Sequence, residues 1–333
     1  MSASESVERE ITEPVDLCLP SGRLNPDAVG WTRQPLHRAN LRGWGRTKRW
    51  EYWGIVSPTH VIGVQVSSLD YAAVHGIYVL DRASGTEWRT DVTVVAGRGV
   101  ALPDRAGTGR VAAAAKDFVV DIRQPDDGTR GTTTIRATTP RATLSLTVEQ
   151  PSGHESMGVV VPWSARRFQY TVKDLARPVT GTLSLDGTAY PITDAYAVLD
   201  HGRGVWPYRM TWNWGAGSGP GGNAVQLGGR WTDGTGATEN AIVVDGTVHK
   251  IGATLHWAYD TADATAPWRV TGDGVDATFH PEHVRVARTE LVVLGNATHQ
   301  AFGTWSGTAR GDDGTTLTLD GLVGWAEEAR NRW

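Results

Sequence analysis

Sixteen consecutive residues, Asp200-His201-Gly202-Arg203-Gly204-Val205-Trp206-Pro207-Tyr208-Arg209-Met210-Thr211-Trp212-Asn213-Trp214-Gly215, gather a carboxylate, an imidazole, two guanidiniums, three indoles and a phenol. An aspartate beside a histidine can move a proton. A carboxyl desolvated among indoles has its pKa raised and becomes a general acid near neutral pH. Indole faces stabilise a developing cation, and Arg203 offers an anion partner. The competing assignment for Asp200 is structural: its side chain caps a turn by accepting from the amides of residues 202–204. A second cluster, residues 228–240, adds Trp231, Asp233 and Glu239. Glu239 or Asp233 would supply the second carboxylate that two-carboxylate hydrolysis requires. The candidate catalytic pair is Asp200 and His201. The candidate ligand lining is Trp53, Arg203, Trp206, Tyr208, Trp212, Asn213, Trp214, Trp231 and Glu239.

These residues must be held by strands. Residues 209–214 alternate Arg/Thr/Asn with Met/Trp/Trp, the period of two that puts indoles on one face. Asp200 follows the apolar run 195–199, so a strand is expected to end there. Short β-branched runs recur at 61–66, 77–80, 92–95, 118–122, 133–137 and 143–148, and in the second half at 168–172, 181–185, 241–244, 250–257, 275–279, 284–287, 291–294, 301–305 and 315–319. Seven Asp-Gly pairs, at 127, 186, 233, 245, 273, 313 and 320, fall mostly between such runs and suit the positive φ of hairpin turns. Helical character is confined to 112–116, too short to stand alone, and to a short terminal helix at 323–332. Dense hairpins without crossover helices mean an all-β protein. At 333 residues two units are expected, with the boundary at 150–162, where a Pro-Ser-Gly turn interrupts the pattern. The expected division is an N-terminal tail 1–20, a first β domain 21–160 and a second 161–333.

Composition narrows the function classes. A net charge of −4 gives no electrostatic footprint for nucleic acid. The basic, Trp-rich stretch 31–53 therefore reads as a pocket rim or as arginine stacked on indole. The first ten residues lack the apolar core of a signal peptide, and no run is long enough for a membrane span. A cytoplasmic protein without integral membrane association is expected. One cysteine, Cys18, excludes an internal disulfide framework and fits a small buried residue. Fifteen Trp against four Phe indicate flat-ring recognition or large apolar cavities.

Other chemistries find no mount. Gly217-Ser218-Gly219-Pro220-Gly221-Gly222 has the spacing of a dinucleotide fingerprint, but a strand rather than a helix follows it, so it is a hairpin loop. His280-Pro281-Glu282-His283 is interrupted by proline, His249 and His256 flank a strand, and no Cys cluster exists, so no metal is expected. No serine sits on a strand-turn-helix elbow. No cofactor is implied.

Several motifs together resemble the bacterial family called domain of unknown function 2804. They are Leu24-Asn25-Pro26 with Gly30-Trp31, Lys48-Arg49-Trp50 with Tyr52-Trp53, Pro162-Trp163-Ser164, Asp200-His201-Gly202-Arg203-Gly204 with Trp206-Pro207-Tyr208, Trp212-Asn213-Trp214-Gly215, Trp231-Thr232-Asp233-Gly234-Thr235-Gly236 and Gly324-Trp325-Ala326-Glu327. A remoter similarity rests on Tyr170-Thr171, the run 181–187, Tyr190, Asp200-His201 and Trp212-Asn213-Trp214. That pattern resembles the carotenoid 1,2-hydratase (hydroxyneurosporene synthase) and AttH-like group. The resemblance implies two packed lipocalin- or calycin-like antiparallel β-barrels and protonation of an isoprenoid double bond followed by addition of water. The acid would fall at Asp200, with Trp212 or Trp214 lining the cavity. The chain departs from that group in carrying Gly202-Arg203-Gly204 after the histidine. The expected function is a hydratase, cyclase or isomerase acting on a small apolar or amphipathic ligand. The alternatives are a non-catalytic lipid or small-molecule carrier and a carbohydrate-active protein.

Overall fold

The computed structural model describes residues 8–126, 130–260, 262–290 and 295–333. The Asp-Gly pair at 127 and the run 291–294 lie outside the described residues. The remainder is all-β: a 13-stranded sheet, a 10-stranded sheet and a two-stranded N-terminal pair. Each large sheet curls around its own apolar interior, as the lipocalin-like expectation requires. The first interior is built on Trp53, Ile55, Ile122, Leu144, Leu183 and Leu199. The second is built on Leu227, Trp257, Trp268, Phe279 and Trp305. A third apolar layer, with Tyr78, Val159, Val198, Trp206, Trp214, Trp231, Phe302 and Trp325, lies where the two sheets pack together.

The strands Arg167–Leu185 and Thr188–Val205 form the spine of the first sheet. They join through Asp186-Gly187, at φ 48° and 86°, the double positive φ of a type I′ turn. The strand Thr47–Val56 pairs along the outer edge of Thr188–Val205. In the second sheet, Arg209–Gly219 is flanked by Asn223–Gly229 and Val323–Arg332. The chain changes sheets between Val205 and Arg209. Both spine strands, C-terminal to the expected boundary, thus belong to the first sheet.

The expected terminal helix is corrected. Residues 323–332 form a central strand bonded on both sides, to Arg209–Gly219 and Gly295–Arg310. A Cβ at Gly324 would sit 1.9 Å from the Ala216 carbonyl oxygen, so close strand packing selects glycine there. Local helical character loses to two ladders of backbone hydrogen bonds. Residues 112–115 fall in the strand Arg110–Ala115, paired with Phe118–Arg123, and Lys116 lies in the turn between the two. The segment 217–222 closes a hairpin through a single 3-10 turn, Pro220–Gly222, and a strand follows, as expected.

The N-terminal segment clasps the two sheets. Arg9 and Ile11 exchange backbone hydrogen bonds with Trp31 beside the first sheet. Glu8 accepts from Thr238 and from the buried Lys250 ammonium at 2.6 Å on the second. Removing one partner strands a buried charge, which costs about 3–5 kcal/mol. Glu8→Ala is expected to lose stability on that scale in urea denaturation at pH 7.

Candidate active site

Asp200 is not at a strand end, and it does not cap a turn. The strand continues to Val205, with Asp200 paired to Lys173 on one side and Tyr52 on the other. Alternation along Thr188–Val205 sends Val198 and Asp200 toward the second sheet and Leu199 into the first interior. Gly202 follows Asp200 on the same face, and a Cβ there would lie 2.1 Å from the Trp50 ring. The glycine therefore lets Trp50 lie against the strand, where its indole N–H reaches Asp200 Oδ2 at 3.0 Å. This accounts for the Gly-Arg-Gly departure noted in the sequence.

The centre of the site is the Lys173 ammonium. It lies 3.0 Å from Asp200 Oδ1 and 3.4 Å from Glu239 Oε2, and 4.2 Å from the centroid of the Trp214 ring. Asp200 also accepts from the Thr171 hydroxyl at 3.1 Å. Glu239, just before the strand Asn240–Val244, accepts the Trp231 indole N–H. Glu327, on Val323–Arg332, accepts the Trp212 N–H at 2.9 Å. Three carboxylates thus each receive an indole hydrogen. Trp206 is the hub of the surrounding rings: its N–H goes to Gln169 Oε1 at 2.7 Å. Its ring packs on Trp50, Trp163, Trp212, Trp231 and Trp333 at centroid distances of 4.9–6.2 Å.

Burial sets the charges. Burial alone would lower the Lys173 pKa, but the carboxylates of Asp200 and Glu239 outweigh it and the net shift is upward. Burial raises Glu239 against the pull of Lys173 and the Trp231 N–H. Glu327 is pushed up to about 7 by burial, opposed by the Trp212 N–H and the Arg285 and Lys173 charges and reinforced by Asp200. Glu327 therefore holds a proton in slightly acidic solution, in a setting of indoles. It also keeps 8% of its surface exposed, against 2% for Glu239.

The structure brings together six of the candidate residues: Asp200, Trp206, Trp212, Trp214, Trp231 and Glu239. The same alternation that points Asp200 outward points its neighbours elsewhere. His201 is fully buried on the opposite face, its Nδ1 3.4 Å from Glu51 Oε2, and burial followed by the Arg203 charge pulls its pKa down to about 4. Trp53 donates to the same Glu51 carboxylate. Arg203, also fully buried, donates to the carbonyls of Trp50, Gly202 and Pro103, and so fastens strand to loop. Asn213 binds the Tyr259 hydroxyl in the second interior. Tyr208 lies at the rim, 38% exposed, beneath the Arg46 guanidinium at 5.4 Å. Asp233 sits in a turn, accepting from the Arg230 amide. The imidazoles of His280, His283 and His249 bond separately, with Ser306, Glu87 and Asp313.

Sequence reading missed Lys173, Glu327 and Trp50. Lys173 directly follows the run 168–172 and stands beside Asp174, so it reads as the polar end of a strand. Glu327 stands in the motif Gly324-Trp325-Ala326-Glu327, but reading 323–332 as a helix gives it no place beside the other acids.

The sequence matches the family model "Domain of unknown function (DUF2804)" over residues 8–333. The chain belongs to that family. Among curated proteins no sequence matches it. Three solved structures are similar to it, and the first two share its fold. CghA matches at a TM-score of 0.56 and 13% identity, covering 86% of this chain and 88% of that one. Kievitone hydratase from Nectria haematococca matches at 0.52 and 9%, covering 87% and 89%. An AttH-like protein from Nitrosomonas europaea matches at 0.46 and 14%, covering 86% and 92%. At these identities the likeness is one of fold, and the two-unit lipocalin-like architecture expected from the sequence is the one shared. Among the described residues, no helix is long and apolar enough to cross a membrane.

Two outcomes follow from this geometry. Gly202→Ala places a methyl group inside the Trp50 ring, which costs about 1–3 kcal/mol by overpacking. The displaced indole is expected to shift the tryptophan emission spectrum, together with a lower urea midpoint. For Glu327, the folded-state pKa lies above the unfolded value of 4.5. The folded chain therefore loses stability as pH rises from the unfolded value through about 7. The loss approaches ~3 kcal/mol. Glu327→Gln is expected to be more stable than the parent at pH 8 and equal to it at pH 4, measured by urea denaturation at both.

Proposed function

We propose that the inter-sheet cluster is an acid–base site for an apolar, unsaturated or ring-bearing small molecule, working as a hydratase, cyclase or isomerase. The observation that carries this reading is a buried carboxyl, Glu327, that holds its proton up to about pH 7 beside the Trp212 ring and the Trp206 cluster. Glu327 donates a proton to a double bond. The indole faces of Trp212, Trp206 and Trp214 stabilise the cation that forms. Water or an internal nucleophile then closes the reaction and returns a proton to the carboxylate. Asp200 fixes Lys173, and their charges set the protonation of Glu327 and Glu239. Asp200 accepts from Lys173, Thr171 and Trp50 at once, so its surroundings favour a positioning role rather than the donor role first assigned to it. The fold shared with kievitone hydratase is consistent with this class of chemistry.

The surroundings disfavour glycoside hydrolysis. The carboxylates of Asp200 and Glu239 do lie together, but one lysine ammonium fills the space between them where a glycosidic bond would have to sit.

Native mass spectrometry of protein purified from its host, followed by incubation of the released compound with fresh protein, tests the proposal. Conversion to a product is expected with the parent chain. Glu327→Gln is expected to reduce it a hundred-fold or more, the scale of a lost general acid (~10²–10⁴). Asp200→Asn is expected to shift the pH profile as well as the rate. A compound returned unchanged by the parent chain overturns the catalytic reading in favour of a carrier.

A further inference from the structure

Of the 32 basic residues only four are lysines, at 48, 116, 173 and 250, so a lysine is the exception wherever this chain needs a cation. Lys116 is exposed. Lys173 and Lys250 are buried on carboxylates, Asp200 and Glu239 in one case and Glu8 in the other. Lys48 is different. It is fully buried, and its ammonium faces rings rather than an acid. Its Nζ lies 4.6 Å from the centroid of the Tyr71 ring and 5.5 Å from that of Trp333, with the Tyr71 hydroxyl at 3.3 Å. Asp70, whose charge reaches it, is engaged by Arg49 at 3.2 Å and by the amides of Gly45 and Thr47.

An amine desolvated against aromatic rings, with a guanidinium nearby and, among the described residues, no carboxylate in contact, has the surroundings of a nucleophile. An arginine in this place could not act as one, because it does not deprotonate. Burial, with a smaller contribution from the Arg46 charge and against that of Asp70, pulls the Lys48 pKa down to about 8. Its position is not remote from the aromatic cluster. Lys48 pairs with Gly204 in the register that sets Trp50 opposite Gly202 and Tyr52 opposite Asp200. Trp333 packs on both Trp206 and Trp212. The two rings that enclose the amine, Tyr71 and Trp333, are themselves only half-buried.

We infer that Lys48 is a second reactive site of this protein, a nucleophilic amine that captures aldehydes or ketones bearing an apolar body as an imine. The Nζ lone pair attacks the carbonyl carbon, a C–N bond forms and the carbonyl oxygen takes a proton. Loss of that oxygen as water, carrying both amine protons, leaves the C=N bond, and no oxidant or reductant is needed. The Tyr71 hydroxyl is placed to pass a proton between nitrogen and oxygen. This site does not depend on Glu327 and stands or falls separately from the acid–base proposal.

The test uses the native chain with propanal and cyanoborohydride, which reduces an imine to a stable secondary amine, followed by peptide mass mapping of the four lysines. Lys48 is expected to be labelled at pH 7 at least tenfold faster than exposed Lys116, with its rate rising through a midpoint near pH 8. Lys116 reacting first, or Lys48 still unlabelled when Lys116 is saturated, overturns the inference. Lys48→Arg is expected to remove this adduct while leaving that on Lys116, which verifies the assignment of the labelled peptide.

Discussion

One ammonium shared by two sheets is the constraint on which the middle of this protein depends. Lys173 comes from the first sheet and holds Asp200 from its own sheet and Glu239 from the second. Each of these groups is buried, and each alone would carry a large desolvation penalty. Held together, with indole and hydroxyl donors supplying the remaining hydrogen bonds, they fix how the sheets face each other. The Glu8–Lys250 pair, close by through Thr238, repeats the device at the N-terminal clasp. Hydrophobic packing between the sheets is non-directional. The ion pairs supply the register that packing lacks.

The unusual tryptophan content follows from the same need. A carboxylate placed between sheets requires a donor that is itself apolar enough to be buried there. Indole N–H meets that requirement, since the rest of the ring packs as a hydrophobe. Trp50, Trp231 and Trp212 each serve one carboxylate, while Trp206 and Trp214 serve the amides of Gln169 and Gln226. A phenylalanine core would fill similar volume and leave those acceptors unpaired. The layer is therefore both the packing between the sheets and a set of tuned acids, and this is why it is the place to look for chemistry.

Much of this was legible in the residues. Period-two alternation at 209–214 predicted a strand with one indole face, and Met210, Trp212 and Trp214 do share the inter-sheet layer. Asp-Gly pairs predicted tight turns, and those at 186 and 245 adopt the paired positive φ that such turns require. The all-β class followed from the absence of sustained helical periodicity. Misreadings came from segments whose local preference is weak. The segment 323–332, with alanine, glutamate and arginine, has a helical composition, and only its two strand neighbours make it a strand. The glycines at 202 and 204 look like a turn in isolation. They are strand positions emptied for Trp50 and Gln169.

The sequence by itself determined the fold class, the family motifs and the richness of acids and indoles around residues 200–240. Those are consequences of composition and short-range periodicity, which every few residues carry locally. Tertiary structure alone decided which of those acids meet. Asp200 and His201 are adjacent in the chain yet face different interiors, because a strand turns successive side chains to opposite sides. Lys173, Glu239 and Glu327 are distant in the chain, yet they act in one electrostatic field because sheet pairing and sheet packing bring their strands together. Register and packing set proximity, and a buried charge depends on what is nearby rather than on what is next in sequence.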